Sequence, residues 1–113
     1  MTKTARDVTT EALRTLGVLA VDEEASADDH ARASSHLSAI YAELDETHGL
    51  ALEWTTETVP DRLWLPVSTA VAGSVAAAYG MPEKAGYRQA GIAAIMRDEL
   101  GGEPERSTEA QFF

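Results

Sequence analysis

The chain has 113 residues, no cysteine and a net charge of −10 at pH 7. This length predicts one domain large enough to bury its own core. The lack of cysteine excludes disulfides, thiolate metal ligands and cysteine nucleophiles. Phosphate contacts dominate the affinity of nucleic-acid-binding proteins, so the excess of acids argues against direct binding of DNA or RNA.

Apolar residues recur at helical spacing in four stretches, which predicts an all-α fold, a small bundle of about four helices. The first helix covers residues 4–16 and ends at Gly17. The second covers residues 27–48, starts after a Ser26–Asp29 capping pair and ends at Gly49. We expect the inward face of the first helix to contain Ala5, Val8, Ala12, Leu13 and Leu16. That of the second is expected to contain Ala27, Ala31, Leu37, Ile40, Tyr41 and Leu44.

Residues 63–81 carry no charge and predict the third helix at residues 66–79, with an additional turn at 61–64. Pro60 and Pro66 both suit a helix start, where proline lacks only an amide that would be unpaired. The stretch approaches the length of a membrane span. Its proline, its serines and glycines, and the absence of a basic cluster on either side favour a buried central helix instead. Its expected inward residues are Val67, Ala70, Val71, Ser74, Val75 and Ala78.

The fourth helix is predicted at residues 83–100, before Gly101 and Gly102, with Ala85, Gln89, Ile92, Ile95, Met96 and Leu100 inward. Residues 1–101 therefore form the predicted helical domain, and residues 102–113 a C-terminal tail that is extended or becomes ordered on binding. Gln111, Phe112 and Phe113 either anchor this polar tail to a partner or fold back on the domain's own core, two alternatives of equal weight.

The connection between the second and third helices carries the two tryptophans, Trp54 and Trp64. A place in the core is favoured for both. Contact with another subunit is the alternative for both, and Trp54 is the candidate for contact with a partner or another subunit. Residues 53–59 form either a loop, which is favoured, or an extended segment that pairs with another subunit, because no partner strand is evident in the chain.

No catalytic, cofactor or metal site is expected. His30, His36 and His48 lack the spacing of a ligand set and read as surface residues. No phosphate-binding glycine loop is evident, and Gly17, Gly49, Gly80 and Gly101 all lie at predicted helix ends. Ser34 and Ser35 lack the elbow of a hydrolase nucleophile.

In residues 5–44 a first helix ends in Leu16-Gly17-Val18, and an acidic loop and a Ser26-Ala27 helix start follow. This stretch resembles the N-terminal half of the head-to-tail adaptor proteins of tailed phages, also called head-completion proteins. The third helix, ending in Tyr79-Gly80, is similar to the family's third helix. The resemblance implies a non-enzymatic virion protein without a cofactor. It further implies a ring, typically of twelve copies, at the head–tail junction (neck), made in the host cytoplasm. Portal protein and tail or stopper proteins are the implied partners, and gene transfer agents use similar parts.

Eleven acids and one base, Arg32, lie between Asp22 and Asp61. A wall of like charge lets DNA pass without binding specifically. If the chain is an adaptor, we expect part of this set to face the DNA channel, the candidates being Asp22, Glu23, Glu24, Asp28, Asp29, Asp45 and Glu46. The alternative function is a small acidic interaction module that regulates or inhibits a basic partner. Neither reading involves a membrane.

Overall fold

The structure, a computed structural model, describes residues 1–101. In this range four helices form: α1 (Ala5–Thr15), α2 (Ala27–Ala42), α3 (Asp61–Val75) and α4 (Gly86–Leu100). Strands β1 (Thr2–Lys3) and β2 (Val59–Pro60) form a two-residue antiparallel ribbon. The prediction of an all-α fold with about four helices is confirmed. The tail with Gln111, Phe112 and Phe113 lies outside the described residues.

Helix α1 has the apolar stripe that its sequence predicts, and all five predicted residues are buried. Its start is fixed by a complete capping box, in which Thr4 Oγ1 accepts from the Asp7 amide at 3.2 Å and Asp7 Oδ2 accepts from the Thr4 amide at 2.9 Å. The carboxylate of Glu57 accepts from the Ala5 amide at 3.0 Å, so a second acid satisfies an amide that the helix leaves unpaired.

Helix α2 starts at the predicted cap, where Ser26 Oγ accepts from the Asp29 amide at 3.1 Å. After Ala42 the chain continues as a π-helical turn, Glu43–Thr47, and leaves it at Gly49 with φ of 66°. The inward face is shifted from the predicted one. Ala27 and Ala31 are exposed, and Ala33 is buried together with Leu37, Ile40 and Leu44.

Helix α3 packs against α1, α2 and α4 and is the central helix, as predicted. It begins at Asp61, so Pro66 lies inside the helix and does not open it. A proline in a helix removes one backbone hydrogen bond. Ser74 is half-buried and Ala78 exposed, whereas Leu63, Ser68, Ala72 and Gly73 join the buried set.

Helix α4 follows a 3₁₀ turn, Pro82–Lys84, and runs antiparallel to α3. Ile92 and Ile95 are buried as predicted, but Ala85, Gln89 and Leu100 are exposed. Two glycines let the helix backbones approach closely. A Cβ on Gly91 would lie 2.5 Å from the Ala70 nitrogen, and one on Gly73 would overlap the Arg88 nitrogen.

The segment at residues 53–59 does have a strand partner in the chain. Val59 and Pro60 pair with Lys3 and Thr2, while the residues before them form turns. A strand of two residues is too short to show strand periodicity, so the sequence does not predict this pairing. The ribbon places the first residues of α1 and α3 at the same end of the bundle.

The glycine contacts predict that Gly73→Ala and Gly91→Ala each destabilise the protein, because the new methyl group must push α3 and α4 apart. Overpacking of this kind costs about 1–3 kcal/mol. Gly86→Ala is the matched control: nothing lies within 4 Å of its Cβ position, and alanine favours a helix by up to ~1 kcal/mol. Urea unfolding measures all three. Equal midpoints for Gly91→Ala and Gly86→Ala would contradict the proposed contact.

Candidate functional site

The first three residues of the acidic set predicted to face a DNA channel lie in the loop between α1 and α2. Asp22, Glu23 and Glu24 are all exposed. Glu23 Oε1 accepts from the Ala20 amide at 2.9 Å, which closes the loop on itself. The carboxylates of Asp22 and Glu24 have no hydrogen-bond or ion-pair partner within residues 1–101, so both remain available to solvent or to another molecule.

Asp28 and Asp29 follow in the first turn of α2, where the helix dipole favours negative charge. Asp28 is exposed and without a partner among the described residues. Asp29 is half-buried and accepts from the Tyr79 hydroxyl at 2.7 Å. Burial and this hydrogen bond raise the pKa of Tyr79 above its usual value. Asp29 therefore links α2 to the chain beyond α3 and is not a free surface charge.

Asp45 and Glu46 lie at the other end of α2, in the π-helical turn. Both are exposed, and neither has a partner in the described part of the chain. Their neighbour Glu43 behaves differently, since it forms an ion pair with Arg88 of α4 and contacts the His48 ring at 3.4 Å. The hydrogen bond from Arg88 lowers the pKa of Glu43 below its ordinary value of 4.5.

The structure thus divides the predicted acidic set into two patches. Asp22, Glu24 and Asp28 form the loop patch, and Asp45 and Glu46 form the turn patch. Residues 28 and 45 are about 25 Å apart along the helix axis at ~1.5 Å per residue. Glu23 and Asp29 already have partners of their own. The sequence does not predict this division, because the spacing of the acids along the chain does not show that Tyr79 contacts Asp29 or that Glu23 binds the Ala20 amide.

Trp54 lies in the core, with only 6% of its surface exposed. Its indole N–H donates to Glu99 at 2.8 Å, and its ring meets Tyr41 edge to face with centroids 5.3 Å apart. The expectation of a core residue is confirmed, and little of the ring is left for another subunit. The other predicted contact residues, Gln111, Phe112 and Phe113, lie outside the described range.

The histidines are not simple surface residues, which corrects the prediction. All three are half-buried and hydrogen-bonded or paired. His30 contacts Thr9 of α1 at 2.8 Å, and His36 contacts Ser74 of α3 at 2.7 Å. His48 pairs with Glu43. Ser74 is a polar residue on the predicted inward face of the third helix, and a buried polar group needs a partner; this signal indicates a polar contact but does not identify His36.

Two open grooves lie on the surface of the described residues, and sequence analysis predicted neither. The first, of about 410 Å³, runs along the outer side of α1; we call it the α1 groove. The second, of about 480 Å³, lies between Glu53 and the end of α4. The α1 groove is lined by Arg6, Asp7, Thr10, Arg14, Glu23, Glu24, Ala25 and Trp64.

No group of three or more histidine and carboxylate side chains suited to a metal ion occurs in residues 1–101. None of the helices in this range is long and apolar enough to cross a membrane. Comparisons with protein-family models, curated proteins and solved structures find no match to this chain.

The geometry at Glu43 predicts a pH-dependent contribution to stability. Because its folded pKa lies below 4.5, the ionised form stabilises the fold fully above pH 4.5, and this contribution is lost as pH falls through the lower folded value. Glu43→Gln should reduce the free energy of unfolding at pH 7 by about 1 kcal/mol or less, as for a partly exposed pair. The difference from wild type should shrink below pH 4.5.

Glu46→Gln is the control for this effect, because Glu46 shares the turn but has no partner there. Chemical denaturation at several pH values measures both variants. A Glu43→Gln difference that stays constant down to the acid limit of folding would contradict the role of the ion pair.

Proposed function

We propose that the protein is a head-to-tail adaptor of a tailed phage or gene transfer agent. It is a structural virion protein of the neck with no enzymatic activity, made in the host cytoplasm. Its copies form a ring beneath the portal protein, and the resemblance to the adaptor family implies twelve copies. The ring extends the DNA channel and provides the platform for tail or stopper proteins.

The segments that resemble the adaptor family support this proposal by where they fall in the fold. Residues 5–44 supply α1, the acidic loop and α2, and residues 63–80 supply most of α3. These three helices pack on one another and share one core. The resemblance therefore covers one connected structural unit. Of the α-helices in residues 1–101, only α4 lies outside it.

The free carboxylates are the observation that carries the proposal. The five acids in the loop and turn patches are exposed and have no partner within residues 1–101, and acids outnumber bases in this chain by 19 to 9. In a ring, each patch would repeat with the symmetry of the assembly. Repeated negative charge around a channel repels phosphates, so DNA moves through without binding specifically.

The channel role predicts that reversing the charge of a patch slows DNA movement. Particles carrying Asp22→Lys, Glu24→Lys and Asp28→Lys, or Asp45→Lys and Glu46→Lys, should eject DNA more slowly or retain it, because lysine binds phosphate. Glu83→Lys, in the exposed 3₁₀ turn before α4, is the control. Time-resolved ejection from purified particles measures the effect. Wild-type kinetics in both patch variants would refute the channel role.

A second candidate is a small acidic module that regulates or inhibits a basic partner, and the same free carboxylates favour it. Co-sedimentation with purified portal rings separates the two functions. An adaptor should sediment with portal rings at a fixed stoichiometry and remain bound at high salt. Salt at 1 M shortens the Debye length to about 3 Å and so weakens attraction between surface charges. An acidic regulator should bind basic proteins generally and be released by salt. Absence of portal binding would refute the adaptor.

A further inference from the structure

The outward face of α4 differs in charge from the rest of this acidic chain. Residues 83–97 hold three bases and one acid, whereas the whole chain has a net charge of −10. Arg97 is exposed and forms no ion pair within residues 1–101. Ala90 and Ala93, seven and four residues before it, lie on the same side of the helix and are exposed as well. This face therefore combines small side chains with an unpaired positive charge.

The outward face of α2 has the opposite charge and similarly small side chains. On the side away from its buried residues, Ser38 is exposed and Ala42 half-buried. The turn patch, Asp45 and Glu46, follows at the end of this face, and neither carboxylate has a partner in the described part of the chain. Copies of an acidic chain repel one another, so the favoured contact joins this acidic end to the least acidic surface of a neighbour.

Helices α2 and α4 point in the same direction within one molecule. His36 of α2 contacts Ser74 of α3, and the earlier Asp29 contacts the later Tyr79, so α2 is antiparallel to α3. Helix α4 is antiparallel to α3 as well. In a ring whose axis runs along the helices, rotation from one copy to the next keeps this direction. Helix α4 of one copy then meets α2 of the next as a parallel pair.

The two faces share a spacing that sets their register. Ala93 lies four residues before Arg97, and Ala42 lies four residues before Glu46. In a parallel pair with Ala93 against Ala42, the guanidinium of Arg97 therefore comes level with the turn patch. Small facing residues let two helices approach to the shorter end of the usual interaxial range of about 8–10 Å. No large side chain on either face has to move to allow this contact.

We propose that α4 of one copy packs in parallel on α2 of the next copy, with Ala93 against Ala42 and Arg97 paired with the turn patch. This contact joins two different surfaces, so its repetition builds a ring when the rotation closes. The inference rests on the ring in the proposed function and names the contact between its subunits. Arg97 neutralises one of the two charges of the turn patch, so the other charge and the loop patch remain for the channel.

Disulfide formation between introduced cysteines tests this contact, because the chain has no cysteine of its own. Facing residues of closely packed helices lie within the Cα separation that a disulfide spans. Full-length protein with both Ala42→Cys and Ala93→Cys is oxidised on purified portal rings and, at high concentration, in free solution. It should give a ladder of cross-linked species. Each single variant should stay uncross-linked, and an equal mixture of the two should stop at a dimer.

The matched control combines Ala93→Cys with Ala20→Cys, because Ala20 is exposed in the loop before α2; this chain should form no ladder. A cross-link within a single variant would show a symmetric contact and overturn the proposal. A ladder from Ala31→Cys with Ala93→Cys in place of the expected one would put Arg97 at the loop patch and also overturn it.

Failure of this contact and failure of the adaptor role give different results. Portal binding without the expected ladder would overturn the contact and leave the adaptor role intact. A ladder in free solution without portal binding would support the contact and refute the adaptor. Absence of both would refute both.

Charge reversal tests the pairing of Arg97. Arg97→Glu replaces attraction by repulsion and should lower the yield of the ladder at low salt by about fivefold. Addition of Asp45→Arg and Glu46→Arg to the same chain should restore the yield. Arg6→Glu, at an exposed base on α1, is the control and should leave the yield unchanged, with circular dichroism confirming equal helicity. An equal loss in the Arg6 variant, or no recovery in the charge-exchanged chain, would overturn the pairing.

Discussion

The close approach of α3 and α4 is the constraint on which much of this structure depends. At Gly73 and Gly91 the absence of a side chain lets one helix backbone rest on the other. Helix α4 has few large buried residues of its own, chiefly Ile92 and Ile95. Its position therefore follows from backbone contact with α3 and from polar links at both ends, Arg88 to Glu43 and Glu99 to Trp54. A helix held in this way leaves a large part of its surface, including several alanines, in contact with solvent.

Polar contacts supplement the core in a similar way around α2. Its apolar face is short, with Ala33, Leu37 and Ile40 buried in the helix proper. His30, His36 and Asp29 then join it to α1, α3 and the chain beyond α3. Among residues 1–101, the buried hydroxyl of Ser68 has no hydrogen-bond partner, and such a group costs stability. Asp29 makes one of these links, whereas the five acids of the loop and turn patches make none within residues 1–101.

The sequence predicts the features that depend on residues close together in the chain, such as helix faces, caps and stops. Patterns within one segment predict the stripe of α1, the Ser26 cap, the helical stop at Gly49 after the π-helical turn, and the central place of α3. It does not predict contacts between distant residues. Nothing local marks Thr2 and Lys3 as the partners of Val59 and Pro60, or Thr9 as the partner of His30. The interior position of Pro66 is a similar case, because the tertiary contacts of α3 outweigh the lost backbone hydrogen bond. For the same reason the acidic residues could be found from the sequence, but their division into free and paired groups could not.

The ribbon and Glu57 have a consequence for how the chain unfolds. The start of α1 is secured by residues more than fifty positions away, through β2 and the carboxylate on the Ala5 amide. The first turn of α1 therefore cannot reach its native stability until residues 57–60 are in place, and α3 begins directly after them. Helices α1 and α3 consequently belong to one cooperative unit that closes a long loop of chain. Opening the ribbon exposes both helix starts together, so amide exchange near Ala5 and near Asp61 reports the same opening event.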